Sequence, residues 1–177
     1  PNFKLGIAPA GNLYSTVNDL SKFMMAVFND GKGKQGSIIS SRLLQQMIKP
    51  QFDKNSFGIG FHVSEFDDTP AIGHGGAVYG YSTQWIALPE KKVGVIAAAS
   101  KDITDGLVKR ISHYALRELI ALQTNADPPE IERTGPVGES RMLQLVGSYA
   151  NDNKTIEVFR RNQQLVLDLG PYRRILK

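Results

Sequence analysis

Ile72-Gly73-His74-Gly75-Gly76-Ala77 runs into Val78-Tyr79-Gly80-Tyr81-Ser82-Thr83-Gln84-Trp85-Ile86-Ala87-Leu88-Pro89. A short apolar approach ends at a histidine, and two bare glycines follow it. Glycine has no Cβ, so Gly75 and Gly76 let another molecule come close to the backbone. A titratable ring beside such backbone is a place where chemistry can be done. The same residues also describe a glycine-rich hairpin with an incidental histidine, and only the neighbouring sequence separates the two readings.

Downstream, Pro89-Glu90-Lys91-Lys92 reads as a hairpin turn, with proline where a turn accepts it. Val93-Gly94-Val95-Ile96-Ala97-Ala98-Ala99 is a strand so continuously apolar that helices are expected to cover it. Residues 103–123 set Leu107, Val108, Ile111, Tyr114, Ala115, Leu119 and Leu122 at helical period, with Gly106 in the first turn. Upstream, Phe57-Gly58-Ile59-Gly60-Phe61-His62-Val63 alternates with period two and predicts a strand, with 65–70 as a turn and 71–76 as the next strand. The third strand is expected over 83–88.

The N-terminal part predicts helices. Residues 1–15 read as loop, broken by Gly6, Pro9 and Gly11. Thr16 is a fitting N-cap, with Asp19 three residues on. Leu20, Phe23, Met24, Val27 and Phe28 then form one face, and Asn29-Asp30-Gly31 ends the helix. Ser40 or Ser41 starts a second, short helix carrying Leu43, Leu44, Met47 and Ile48, which Pro50 ends. The expected fold class is α+β: an antiparallel sheet covered by helices.

Residues 124–140, with Asp127-Pro128-Pro129 and Gly135-Pro136, read as a linker. Beyond it, 145–149, 155–159 and 164–169 read as three strands of a short β-meander, turned by Asn151-Asp152-Asn153 and Arg161-Asn162-Gln163. Three strands are a marginal unit by themselves. The organisation expected is therefore a domain over 1–123, the linker, and the beginning of a small β domain over 141–177.

Composition bounds the function. At 41% hydrophobic the 177 residues suit a globular chain, and no apolar run reaches the ~18 residues a membrane-spanning helix needs. The absence of cysteine excludes disulfides, thiol nucleophiles and zinc–cysteine sites. The net charge of +4 arises in residues 141–177, which hold 7 basic and 3 acidic side chains. These alternate with Val, Leu and Phe, which favours a solvated strand face over a nucleic-acid surface. Arg173-Arg174 reads as surface. The chain opens on Pro1-Asn2-Phe3-Lys4-Leu5, without an initiator Met or a signal pattern, so a piece of a longer protein is expected.

Six pieces in order resemble one family. They are 10–20 (Ala-Gly-Asn-Leu-Tyr-Ser-Thr-Val-Asn-Asp-Leu), 57–61, Gly73-His74-Gly75-Gly76, Tyr79-Gly80-Tyr81-Ser82-Thr83, Leu88-Pro89-Glu90-Lys91-Lys92, and Val93-Gly94-Val95. Over about residues 9–122 the chain resembles the C-terminal half of the serine β-lactamase-like hydrolases: class C β-lactamases, D-Ala-D-Ala peptidases and related esterases. The tail resembles the start of the lipocalin-like β domain some members carry.

The resemblance implies an acyl-serine mechanism without metal or cofactor, acting on a small or peptide-like ester or amide. It gives His74-Gly75-Gly76 the place of the family's third motif, with His74 in a supporting catalytic role. It gives the backbone N–H of Ala77 to the oxyanion hole. Such a site needs N–H donors aimed at the developing oxyanion, and a strand edge can supply one. Gly75, Gly76, Tyr79 and Tyr81 would then line the substrate, with Trp85 nearby.

The family's other two motifs do not match. No serine in this chain has a lysine three residues on, and Tyr149-Ala150-Asn151 follows His74 where the family's Tyr-x-Asn precedes it. No Gly-x-Ser-x-Gly elbow occurs. His62, His74 and His113 fall on three expected elements without metal-ligand spacing. The expectation is a chain inactive alone, associating with a complementary N-terminal fragment or with copies of itself. A non-catalytic binding module that keeps only the groove fits the same residues. The family's commonest setting, an exported bacterial enzyme, leaves the compartment open.

Overall fold

The computed structural model describes residues 6, 8–52, 56–101, 103–130, 135–151, 154–168 and 173–176. The chain divides into two compact units, Pro1–Pro129 and Glu130–Lys177.

In the first unit, a four-residue helix α1 (Ala8–Gly11) lies where loop was expected. Next comes α2 (Val17–Phe28). The Thr16 hydroxyl oxygen accepts from the Asp19 N–H at 3.1 Å and donates to the Asp19 carboxylate at 3.0 Å, closing the first turn. Met24, Val27 and Phe28 are buried as the periodicity predicts. At its end Gly31 takes φ +84, and a Cβ there would lie 2.2 Å from the Ile39 carbonyl oxygen. A two-stranded ribbon, β1 (Lys32–Gly33) with β2 (Gly36–Ser37), leads to α3 (Ser41–Met47). The Ser40 hydroxyl caps α3 by accepting from the Leu43 N–H.

The expected strand over 57–63 is corrected. Residues 58–61 form a tight connection packed on the end of α3, where the Ile59 N–H donates to the Met47 carbonyl at 2.8 Å. A Cβ on Gly58 would lie 2.0 Å from that same carbonyl oxygen. The period-two pattern came from glycines that serve close approach (Gly58) and a positive φ (Gly60, +76), not a pleat. The strand is β3 (His62–Phe66), so Glu65 and Phe66 are strand residues rather than turn residues. The turn contracts to Asp67-Asp68, at φ 44 and 59, the two left-handed positions of a type I′ hairpin.

β4 (Thr69–Val78) follows, then β5 (Tyr81–Leu88) and β6 (Val93–Ala99). All pairs are antiparallel, in the order β3-β4-β5-β6. The loop Tyr79-Gly80 has only Gly80 at positive φ (+84), where a type II turn needs glycine. Helices α2 and α4 (Asp105–Thr124) both pack on β6, as its apolarity predicts. Two apolar clusters result. Met24, Val27, Phe28, Leu44, Phe61, Ile72, Trp85 and Ala87 fill the α2 side. Phe66, Ala71, Ile86, Leu88, Val93 and Leu116 fill the α4 side.

α4 corrects the expected apolar face. It buries Val108, Ser112, Leu116 and Ala121, whereas Leu107, Ile111, Leu119 and Leu122 are exposed. The apolar stripe of the helix is wider than the strip the sheet covers. Ile103, expected at its start, is 90% exposed at φ 59, and the helix begins two residues later. Asn125 ends it in the left-handed conformation.

In the second unit, a helix α5 (Glu139–Leu145) occupies the end of the expected linker and the first residue of the expected strand. Among the described residues the meander has four strands rather than three: β7 (Gly147–Asn151), β8 (Lys154–Arg161), β9 (Gln164–Asp168) and β10 (Arg173–Leu176). They pair antiparallel in chain order. Asn162 and Gln163, both at positive φ, make the β8–β9 turn, close to where it was expected. Asp152, Asn153 and Leu169 lie outside the described residues.

A candidate active-site wall on one open strand edge

The site is built from register. Phe66–Thr69 and Val78–Tyr81 close two-residue hairpins at the two ends of β4. Closing pairs of this kind are hydrogen-bonded pairs, and bonding direction alternates residue by residue. Counting from both ends gives one answer: even positions of β4 bond toward β5, odd positions toward β3. But β3 reaches only as far as the His62–Gly73 pair. Beyond it, among the described residues, no strand pairs with the outer edge of 74–78. The backbone groups of Gly75 and Ala77 therefore face outward on an open edge, beside the exposed side chain of His74.

Side chains alternate between faces in the same way. His74 stands directly opposite Trp85, and Trp85 opposite Ile96, on the α2 face. Phe23 of α2 lies 6.1 Å from Trp85 and 6.3 Å from Phe61, and Phe61 lies 5.9 Å from Trp85, measured between ring centres. This aromatic layer backs the site. The buried Trp85 indole N–H has no acceptor among the described residues. The His74 Nδ1 lies 2.6 Å from the Gly75 carbonyl oxygen. A carbonyl oxygen only accepts, so Nδ1 is the protonated nitrogen in this contact.

Of the other expected site residues, Gly76 faces Thr83, whose hydroxyl donates to the Gly76 carbonyl at 3.3 Å. Ala77 is exposed opposite Ser82. Tyr79 is exposed at the hairpin tip, and Tyr81 is exposed opposite Val78. His74, Gly75, Gly76, Ala77, Tyr79 and Tyr81 thus share the β4–β5 hairpin. Tyr149-Ala150-Asn151 lies in β7 of the second unit, where the Tyr149 hydroxyl donates to the Leu145 carbonyl at 2.9 Å.

The three histidines stand in separate surroundings. His62 Nε2 lies 3.2 Å from the Ser56 hydroxyl, with the Phe57 ring edge-on. His113 of α4 meets Phe66 edge-on at 5.1 Å, and burial, then Lys109 and Arg117, push its pKa down. Among the described residues no three His, Asp or Glu groups gather as a metal site, and no helix is long and apolar enough to cross a membrane.

Two residues of the quoted pieces to which the sequence assigned no role hold this wall. Ser82 is fully buried; its hydroxyl donates to the Lys101 carbonyl at 3.0 Å and accepts from the Thr104 N–H at 3.2 Å, tying β5 to the start of α4. Its signal was a small polar residue in a strand that packs against a helix. Gly73 is the tighter glycine of the motif: a Cβ there would lie 2.6 Å from the Trp85 carbonyl oxygen, whereas one on Gly75 meets nothing nearer than 3.3 Å.

The sequence matches the family model described as Beta-lactamase over residues 1–118. No curated protein matches it. Among solved structures, the octameric penicillin-binding protein homologue from Pyrococcus abyssi is 20% identical, with a TM-score of 0.50, over 91% of this chain and 36% of its own. SurE with D-Leu is 19% identical, with a TM-score of 0.49, over 95% of this chain and 40% of its own. The chain thus spans less than half the length of the structures it resembles. The helix-covered antiparallel sheet agrees with a family match over two thirds of the sequence, and the chain belongs to the beta-lactamase family.

Proposed function

We propose that this chain supplies one wall of an acyl-transfer site in a serine hydrolase. The observation that carries the reading is the open edge of β4, where the Ala77 N–H faces outward next to His74. An N–H fixed in a strand is a preorganised donor for a developing oxyanion. The edge also accepts an extended ester- or amide-bearing ligand as an added strand, with the bare backbone of Gly75 leaving room. His74 assists the proton network, and Tyr79 and Tyr81 border the ligand. The nucleophilic serine and its base come from polypeptide outside these 177 residues, as a complementary N-terminal segment. The exposed apolar side of α4 supports association of this kind, with that segment or with further copies of the chain. The same reading takes 1–123 as the hydrolase part, 124–140 as linker and 141–177 as the start of a lipocalin-like domain.

The test is active-site labelling of the polypeptide as its native gene encodes it. A fluorophosphonate or benzylpenicillin should label a serine outside residues 1–177. His74→Ala in that protein should lower kcat/KM for p-nitrophenyl acetate by about a hundredfold, the lower end for a lost proton-transfer group. Absence of any labelled serine would favour a non-catalytic binding module that keeps the groove.

A further inference from the structure

The open edge of β4 is already occupied by one of its own side chains. The Gly75 carbonyl points outward, and the His74 Nδ1 lies 2.6 Å from its oxygen. The imidazole thus stands where the first N–H of an added strand would stand, and its Nε2 remains an acceptor. We propose that His74 is a displaceable cap on this edge, selecting extended ligands that bring a backbone N–H to Gly75 over ester analogues that lack it. This rests on reading the edge as the ligand wall.

The chemistry of exchange favours one ligand class. When the ring leaves, the Gly75 oxygen loses its donor. A peptide or secondary amide returns an N–H to it. An ester oxygen at that position has no hydrogen and sets lone pairs against lone pairs, so the lost bond is not replaced. On the α2 face the ring stands opposite Trp85, whose buried indole N–H has no acceptor among the described residues.

The experiment is side-chain ¹⁵N NMR on the 177-residue chain, with two probes: N-acetyl-Ala-Ala-methylamide and the depsipeptide in which an ester oxygen replaces its central N–H. Free His74 should show the Nδ1-protonated tautomer. The peptide should shift the Ala77 amide resonance and bind about tenfold more tightly than the depsipeptide, the ratio expected for one unreplaced hydrogen bond of ordinary strength. His74→Ala, which removes the cap, should tighten peptide binding severalfold, and His74→Gln, which keeps a donor, should lie between. An Nε2-protonated tautomer, equal affinities for the two probes, weaker or unchanged binding by His74→Ala, or no shift of Ala77 by the peptide each overturn the proposal. None of these readouts needs a nucleophile, so a failed serine labelling leaves them standing, and their failure leaves serine labelling intact.

Discussion

Arg117 holds Asp67 at two points. Its Nε lies 2.8 Å from Oδ2 and its Nη2 3.0 Å from Oδ1, joining the middle of α4 to the tip of the β3–β4 hairpin fifty residues away in sequence. The same guanidinium lies 5.1 Å from the centre of the Phe66 ring. This fork matches carboxylate geometry, which a lysine would not reproduce.

Both side chains of that pair are about half exposed, so water screens it. Arg117→Ala should cost about 1 kcal/mol, ion pair and ring contact together. Arg117→Lys should recover less than half of it. The hydrogen bond from Arg117 holds the Asp67 pKa below its ordinary value. Asp67 therefore stabilises the fold above its unfolded pKa of about 4, and that contribution fades as pH falls through the lower folded value. Asp67→Asn, which tolerates the left-handed backbone at this position, should flatten the fall of urea-unfolding stability below about pH 4 relative to the parent.

His113 gives the neighbouring pH window. Burial against the hairpin, and then the charges of Lys109 and Arg117, lower its pKa, while Asp67 opposes them. The unfolded chain therefore takes up the proton first as pH falls. Stability from neutral His113 is complete above about pH 6.5 and declines below it. His113→Phe should remove that decline. Urea titrations at pH 7.5 and 5.5 should differ less for this variant than for the parent, and an equal difference would rule His113 out as its source.

Gly73 and Gly75 should separate stability from ligand contact. Gly73→Ala drives a Cβ to 2.6 Å from a main-chain carbonyl that cannot rotate away, so a loss of about 1–3 kcal/mol is expected. Gly75→Ala should cost under about 1 kcal/mol, since its nearest neighbour is a flexible amide end. Thermal unfolding of the two variants side by side checks the order.

Ser82→Ala removes one donor and one acceptor from a fully buried position; it strands the Thr104 N–H and leaves the Lys101 carbonyl with the Thr104 hydroxyl alone, at 2.8 Å. A loss of about 2 kcal/mol is expected. Amide hydrogen exchange should rise first in the opening turn of α4, where Thr104 and Asp105 lie. Exchange rising uniformly instead would show that the hydroxyl does not pin this junction.

Much of this was legible in local chemistry. The caps at Thr16 and Ser40, the apolar strand β6 and the long helix α4 follow from patterns that need no distant partner. The candidate wall was legible through the order of its pieces around His74. What escaped depended on contacts across the chain. Phe57-Gly58-Ile59-Gly60-Phe61 imitates a strand because glycine used for close packing against Met47 looks the same in sequence as glycine in a pleat. On α4 the periodicity took one broad stripe, and the sheet selected Val108, Ser112 and Leu116 from its edge, leaving Leu107, Ile111 and Leu122 outside. The open edge itself was invisible, because it exists only where β3 stops short of His74.

The two short turns that bracket β4 also limit which changes in length this segment tolerates. Side chains of a strand alternate faces, so one residue gained or lost between Thr69 and His74 moves the imidazole from the Trp85 side to the Leu116 side and turns the Gly75 carbonyl inward. A gain or loss of two residues keeps both assignments and only lengthens or shortens the arm. Within these ten residues, a change of odd length disturbs the wall more than one of even length.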